Sequence, residues 1–216
     1  MVTLGRMDLL ERIAYARRPK TLPVILSPEE VARFLEAVPS RRDRVALTTA
    51  YATGLRASEV VGLRICDIDS ARMVIHVTNG KGGKQRYVML SPSLLGILRA
   101  YWDIERPRHW LFPGRGGEKP LNPSTLNAAC AKAVEATGIS KHATLHALRH
   151  AFATHLVEQG VDISIVQALL GHSSLSTTIR YIRVATRAIA AVKSPLDHLM
   201  LAVPELRPQQ ECRPSG

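Results

Sequence analysis

The chain has 216 residues, enough for one domain with a full core, and 46% of them are hydrophobic, which excludes a disordered polymer. Lys and Arg outnumber Asp and Glu by 29 to 18, and the resulting formal charge of +11 points to a polyanionic partner, nucleic acid first of all. Three scattered cysteines (Cys66, Cys130, Cys212), no membrane-length apolar run and no signal-peptide pattern exclude a disulfide scaffold and a membrane span, and indicate the cytoplasm.

Residues 1–22 are mixed and basic and read as a short helix running into a linker. Ser27-Pro28-Glu29-Glu30 is a strong helix start, with a serine cap, proline at the first position and glutamate three residues after the cap. Val31, Phe34, Leu35 and Val38 mark the buried face of that helix. A second helix is expected over 41–53, stopped by Gly54, and a third begins at Ala57 and runs to Leu63. Three short strands follow at 65–69, 73–78 and 85–90, the last two flanking the hairpin turn Asn79-Gly80-Lys81-Gly82-Gly83.

Ser91-Pro92 and Asn122-Pro123 repeat the cap-then-proline start and open helices to about 104 and 137. Further helices are expected at 144–159, 162–170 and 174–187, separated by Gly160 and Gly171. A last segment, 186–201, is interrupted by Pro195, and the tail over 204–216 is expected to be disordered. The chain therefore reads as mainly α with a small three-stranded antiparallel β-sheet.

The chemistry-bearing groups are spread along this frame. Arg56 stands at a helix boundary, where a fixed fork of donors suits a phosphate oxygen; the plain alternative is a surface arginine paired with Glu59 at i+3. Arg149 lies on a later helix with His146 one turn earlier, a spacing that places both on one face. Two arginines on one phosphate would neutralise the charge that builds during in-line displacement. Lys81, at the tip of a glycine-flanked hairpin, suits a general acid, a backbone contact or a simple turn lysine, and Lys84 and Arg86 nearby leave the choice open.

Tyr181 lies nine residues after His172. With an ordinary pKa of about 10 a tyrosine needs a base and nearby cations before it can attack. His146 is a candidate base, and His172 a candidate donor to the phosphate; a tyrosine packed on a helix face is the commoner case. His142, His146 and His150 recur at i,i+4, but position 147 is alanine, so the HExxH form fails and no carboxylate or cysteine cluster completes a zinc site. A P-loop is absent as well.

Taken in order, the segments Ala52-Thr53-Gly54-Leu55-Arg56-Ala57-Ser58-Glu59-Val60, Gly80-Lys81-Gly82-Gly83-Lys84-Gln85-Arg86, His146-Ala147-Leu148-Arg149-His150 and Leu170-Gly171-His172 through Tyr181 resemble the four boxes of the tyrosine recombinase (phage integrase) catalytic domain. The resemblance runs from about residue 23 to 190 and favours Lys81 over Lys84; the catalytic domain is assigned to 23–203. It implies the DNA breaking-rejoining fold and a catalytic set of Arg56, Lys81, His146, Arg149, His172 and Tyr181. In that scheme Tyr181 attacks the scissile phosphate to give a 3′-phosphotyrosine and a free 5′-hydroxyl, Lys81 protonates the leaving oxygen, Arg56 and Arg149 clamp the phosphate, and the two histidines assist.

The same resemblance implies that neither a metal nor ATP is needed, because the bond energy is kept in the covalent intermediate. The implied partners are double-stranded DNA, further copies of the chain in a tetramer on DNA, and an accessory DNA-binding protein. Members of the family carry an N-terminal core-binding domain, whereas only about 22 residues precede the matched region here, so the expectation is a short form, a truncated product or an excised domain. Ile189, Val192, Leu196 and Leu199 fall at near-helical spacing, and docking on a neighbouring protomer and packing on the chain's own domain are equally good readings. The function expected is DNA recombination, integration or transposition; the alternatives are type IB topoisomerase-like relaxation and a catalytically silent DNA-binding module.

Overall fold

A computed structural model describes residues 25–78, 85–141, 143–171 and 192–199. It is mainly helical with one small sheet. Seven helices are described: α1 (Pro28–Glu36), α2 (Arg41–Thr53), α3 (Ala57–Val61), α4 (Pro92–Glu105), α5 (Pro123–Thr137), α6 (Leu145–Glu158) and α7 (Ile163–Leu170). The strands are β1 (Ile68–Asp69), β2 (Val74–Val77) and β3 (Arg86–Met89), antiparallel in the order β1-β2-β3, with Ile75 opposite Val88 and Val77 opposite Arg86.

The helix starts are built by the residues that announce them. Ser27 Oγ accepts the Glu30 N–H at 3.2 Å while the Glu30 carboxylate accepts the Ser27 N–H at 2.7 Å, so two otherwise unpaired donors are satisfied reciprocally. The side chains of Ser91, Asn122 and Thr144 cap α4, α5 and α6 by each accepting one backbone N–H of the first turn, with proline at the first position in the first two. The expected third-helix start at Ala57 is also present, although the helix ends at Val61.

One expected strand is corrected. Ile65–Asp67 forms a 3₁₀ turn, and only Ile68 and Asp69 of the expected 65–69 stretch pair in the sheet. Asp67 is the cause: its carboxylate accepts the Arg64 N–H at 2.8 Å and its own N–H reaches the Arg64 carbonyl at 3.1 Å, closing a turn that competes with the ladder.

Helix α2 is the axis of the core. Every residue from Val45 to Thr53 is buried, and α1, α3, α4, α5 and α6 all pack on it. Burying hydroxyls along an interior helix is tolerated because Thr49 donates to the Val45 carbonyl at 2.8 Å and Thr53 to the Thr49 carbonyl at 2.6 Å. A second 3₁₀ turn, Pro195–His198, returns to the same helix: Leu196 is buried in the core, and the Ser194 hydroxyl donates to the Ala52 carbonyl at 3.2 Å. Of the two readings of the C-terminal segment, the described part, residues 192–199, packs on its own domain; Ile189 lies outside the described residues.

Candidate active site

A buried carboxylate organises the site. Glu59, 2% exposed, sits in the first turn of α3, and its carboxylate reaches back to accept the Arg56 N–H at 2.8 Å. The same carboxylate draws three guanidinium groups from three parts of the chain. Arg56, the residue before α3, donates through Nη1 at 3.1 Å. Arg86, the first residue of β3, closes a fork on both oxygens at 2.9 and 2.8 Å. Arg149, from α6, holds Nη1 at 3.9 Å. Three guanidiniums against one carboxylate leave the cluster with a formal charge of +2.

Arg149 is almost fully buried, and its position is set by backbone. Its Nη1 donates to the Gly54 carbonyl at 2.6 Å and its Nη2 to the Leu170 carbonyl at 2.7 Å. Those carbonyls stand at the C-terminal ends of α2 and α7, where helix dipoles favour a cation. Burial, then the positive charge of Arg56, pulls the Arg149 guanidinium down to about 10, Glu59 opposes this, and Arg86 adds to it. The group stays charged at neutral pH. Burial would raise the Glu59 carboxyl, yet the hydrogen bonds and charges of Arg86 and Arg56 outweigh it and hold the group below its ordinary value.

Two glycines make the close approach feasible. Gly54 ends α2 in the left-handed region at φ 66°, and a Cβ there would lie 2.4 Å from the Phe152 ring. Gly171 ends α7 at φ 63°, and a Cβ there would press on the Arg86 guanidinium at 3.1 Å.

His146 and Arg149 share α6 but not an environment. Arg149 turns inward, whereas His146 is exposed and its Nε2 lies 2.9 Å from the Nε2 of His150. One nitrogen donates and the other accepts, according to the tautomers. Burial, with the charges of His146 and Arg149, holds His150 below its ordinary value. Thus Arg56 and Arg149 are brought together on Glu59, and His146 stands one turn away on the surface of α6. Lys81, His172 and Tyr181 lie outside the described residues, as does His142.

Two participants were not singled out by the sequence. The Arg56–Glu59 pairing offered as the plain alternative is present, yet Glu59 is buried and serves two further arginines; its spacing from Arg56 was the available signal, since a residue three beyond a helix cap reaches back to it. Arg86 gave no separate signal, being one of several cations around the hairpin turn. An open pocket of about 400 Å³ between Ile65, Leu95, Leu98 and Trp102 shares no lining residue with the arginine cluster. Among the described residues no group of three His, Cys, Asp or Glu could hold a metal, and no helix is long and apolar enough to cross a membrane.

The phage integrase family matches residues 25–187. The chain belongs to that family. It is 50% identical over 194 residues to the putative integrase/recombinase y4qK of Sinorhizobium fredii (strain NBRC 101917 / NGR234), covering 90% of this chain and 63% of that protein. Against y4eF of the same organism, also named a putative integrase/recombinase, identity is 48% over 200 residues, with 93% and 80% covered. The tyrosine recombinase XerA of Pyrococcus furiosus is 39% identical over 188 residues, with 85% and 65% covered. The chain therefore spans roughly two thirds to four fifths of these relatives' lengths.

Among solved structures, the XerA recombinase crystal structure superposes with a TM-score of 0.62 at 32% identity, over 80% of this chain and 64% of that one. The XerH site-specific recombinase bound to its difH substrate superposes with a TM-score of 0.61 at 29% identity, over 76% and 50%.

Proposed function

We propose that this member of the phage integrase family is a site-specific DNA recombinase that breaks and rejoins duplex DNA through a phosphotyrosine at Tyr181, with residues 23–203 as the catalytic domain. The observation that carries the reading is the convergence of Arg56 and Arg149 on one buried carboxylate, with a net positive charge left over. A phosphodiester carries one negative charge and gains another as the attacking oxygen bonds to phosphorus, so a preorganised cationic site lowers the barrier more than it strengthens ground-state binding. DNA as partner is supported by the +11 charge and by the DNA-bound relative.

In this scheme the Tyr181 hydroxyl loses its proton to His146 and its oxygen bonds to phosphorus. The P–O5′ bond breaks, and Lys81 delivers a proton to the departing oxygen. His172 hydrogen-bonds a non-bridging oxygen. Attack by a 5′-hydroxyl reverses the sequence and releases the tyrosine; attack by a hydroxyl from another duplex exchanges strands. That exchange needs further protomers on the DNA, so self-association belongs to the same proposal, as does a cytoplasmic location alongside its DNA. The phosphotyrosine stores the bond energy, so the scheme uses no metal and no ATP.

The test is a suicide substrate: a pool of random-sequence duplexes nicked beside potential scissile phosphates, incubated with the protein and with Tyr181→Phe. A covalent adduct formed by the first and lost in the second is the expected result. Binding with no adduct across the pool would leave a silent DNA-binding module instead.

A further inference from the structure

Arg86 lies outside the set proposed to act on the phosphate, yet it makes the best-formed ion pair in the cluster. Its Nη1 and Nη2 engage the two oxygens of Glu59 at 2.9 and 2.8 Å, and its Nε donates to the Leu169 carbonyl at 2.9 Å. All three nitrogens are thus turned towards protein acceptors, and the side chain is only 13% exposed. A guanidinium so placed is a poor candidate for touching substrate. It is well placed to govern what Glu59 does to its other two arginines.

A buried carboxylate does not stay uncompensated. Without Arg86, the charge on Glu59 would be balanced only by Arg56 at 3.1 Å and Arg149 at 3.9 Å. The cluster would drop from +2 to +1, and the remaining guanidiniums would be held against a carboxylate rather than offered to a phosphate. With Arg86 present, one cation cancels the one anion.

We propose that Arg86 is a positioning residue whose bidentate pairing neutralises Glu59, so that the charges of Arg56 and Arg149 are left for the scissile phosphate. This role rests on the function proposed above. The competing role for such a side chain is a tether between β3 and α7 through the Leu169 carbonyl, and charge rescue separates the two.

The experiment compares the full 216-residue chain with Arg86→Met, Arg86→Lys, Glu59→Gln and the Arg86→Met/Glu59→Gln double variant. Adduct formation is timed on the nicked duplex pool, and affinity is measured for a short random-sequence duplex. Arg86→Met is expected to slow adduct formation about 10²-fold, the scale of losing one charge-stabilising group. Adding Glu59→Gln removes the unpaired anion and is expected to restore at least about tenfold of that rate, a coupling that a double-mutant cycle reads directly. Arg86→Lys, which keeps the charge but not the fork, is expected to fall between wild type and Arg86→Met.

A double variant as slow as Arg86→Met, or slower, overturns the proposal in favour of the tether. If Arg86→Met alone does not fold, the double variant and Arg86→Lys carry the comparison: a double variant within about tenfold of the wild-type rate supports the charge role, and a loss of about 10²-fold in both overturns it. If the unsubstituted protein forms no adduct, the proposed function fails, and the charge role is then read from duplex affinity. Affinity lost in Arg86→Met and recovered in the double variant supports it, whereas no recovery overturns it.

Discussion

His155 is a buried ring with a hydrogen-bond partner at each nitrogen. Its Nε2 lies 3.1 Å from the Leu26 carbonyl, which only accepts, so Nε2 carries the hydrogen, and Nδ1 of the neutral ring accepts a hydrogen bond from the Tyr51 hydroxyl at 2.9 Å. Burial pushes the ring below its ordinary value of 6.5, against the opposing pull of Glu158, the Leu26 carbonyl and Glu29. A depressed pKa means that the unfolded chain takes up the proton first as pH falls. The stability this ring contributes is complete above pH 6.5 and is lost as the pH drops through the native value. Thermal melts over that range are expected to show a fall that His155→Gln flattens. Glu59 acts in the same direction in a lower window: its contribution is complete above 4.5 and is lost as the pH falls through its depressed native value. Two acid windows with separate starting points are therefore expected, the upper shared by His155 and His150 and the lower including Glu59 of the arginine cluster.

At the scale of elements, the end of α2 does double service. Gly54 stops the helix in a left-handed conformation, packs against Phe152 and presents its carbonyl to Arg149. Gly54→Ala combines left-handed strain with a clash against the Phe152 ring, and is expected to cost about 2–4 kcal/mol, measured by urea unfolding. The helices themselves were legible in the sequence because their caps are local. A serine, asparagine or threonine acts on an N–H two or three residues away, and proline at the first position needs no distant partner. The Ile65–Asp67 turn was not legible, since its apolar residues suit a strand and the deciding contact is one carboxylate folding back on the chain. The site was legible in part for the same reason. Arg56 and Glu59 are near in sequence, whereas the Arg86–Glu59 pair spans 27 residues and Arg149–Leu170 joins two helices, relations that only folding reveals.

Over the whole molecule, the chain returns at residues 192–199 to seal the core. Leu196 fills a place among α2, α4 and α6, and Ser194 bonds the Ala52 carbonyl, two residues before Gly54. Leu196→Ala is expected to cost about 2–4 kcal/mol in chemical denaturation, as for other buried leucines truncated in a tight core. The arginine cluster sits differently in this architecture. One of the described carbonyls that hold Arg149 belongs to Leu170, the last residue of α7, a helix of only eight residues. Helix ends open far more readily than the body of a fold. Each opening of that last turn unhooks one carbonyl from the cation while α2 and its Gly54 carbonyl stay in place. The activity proposed on DNA should therefore have a melting point of its own, several degrees beneath that of the protein. Activity followed through a temperature ramp, beside circular dichroism on the same sample, would register the gap.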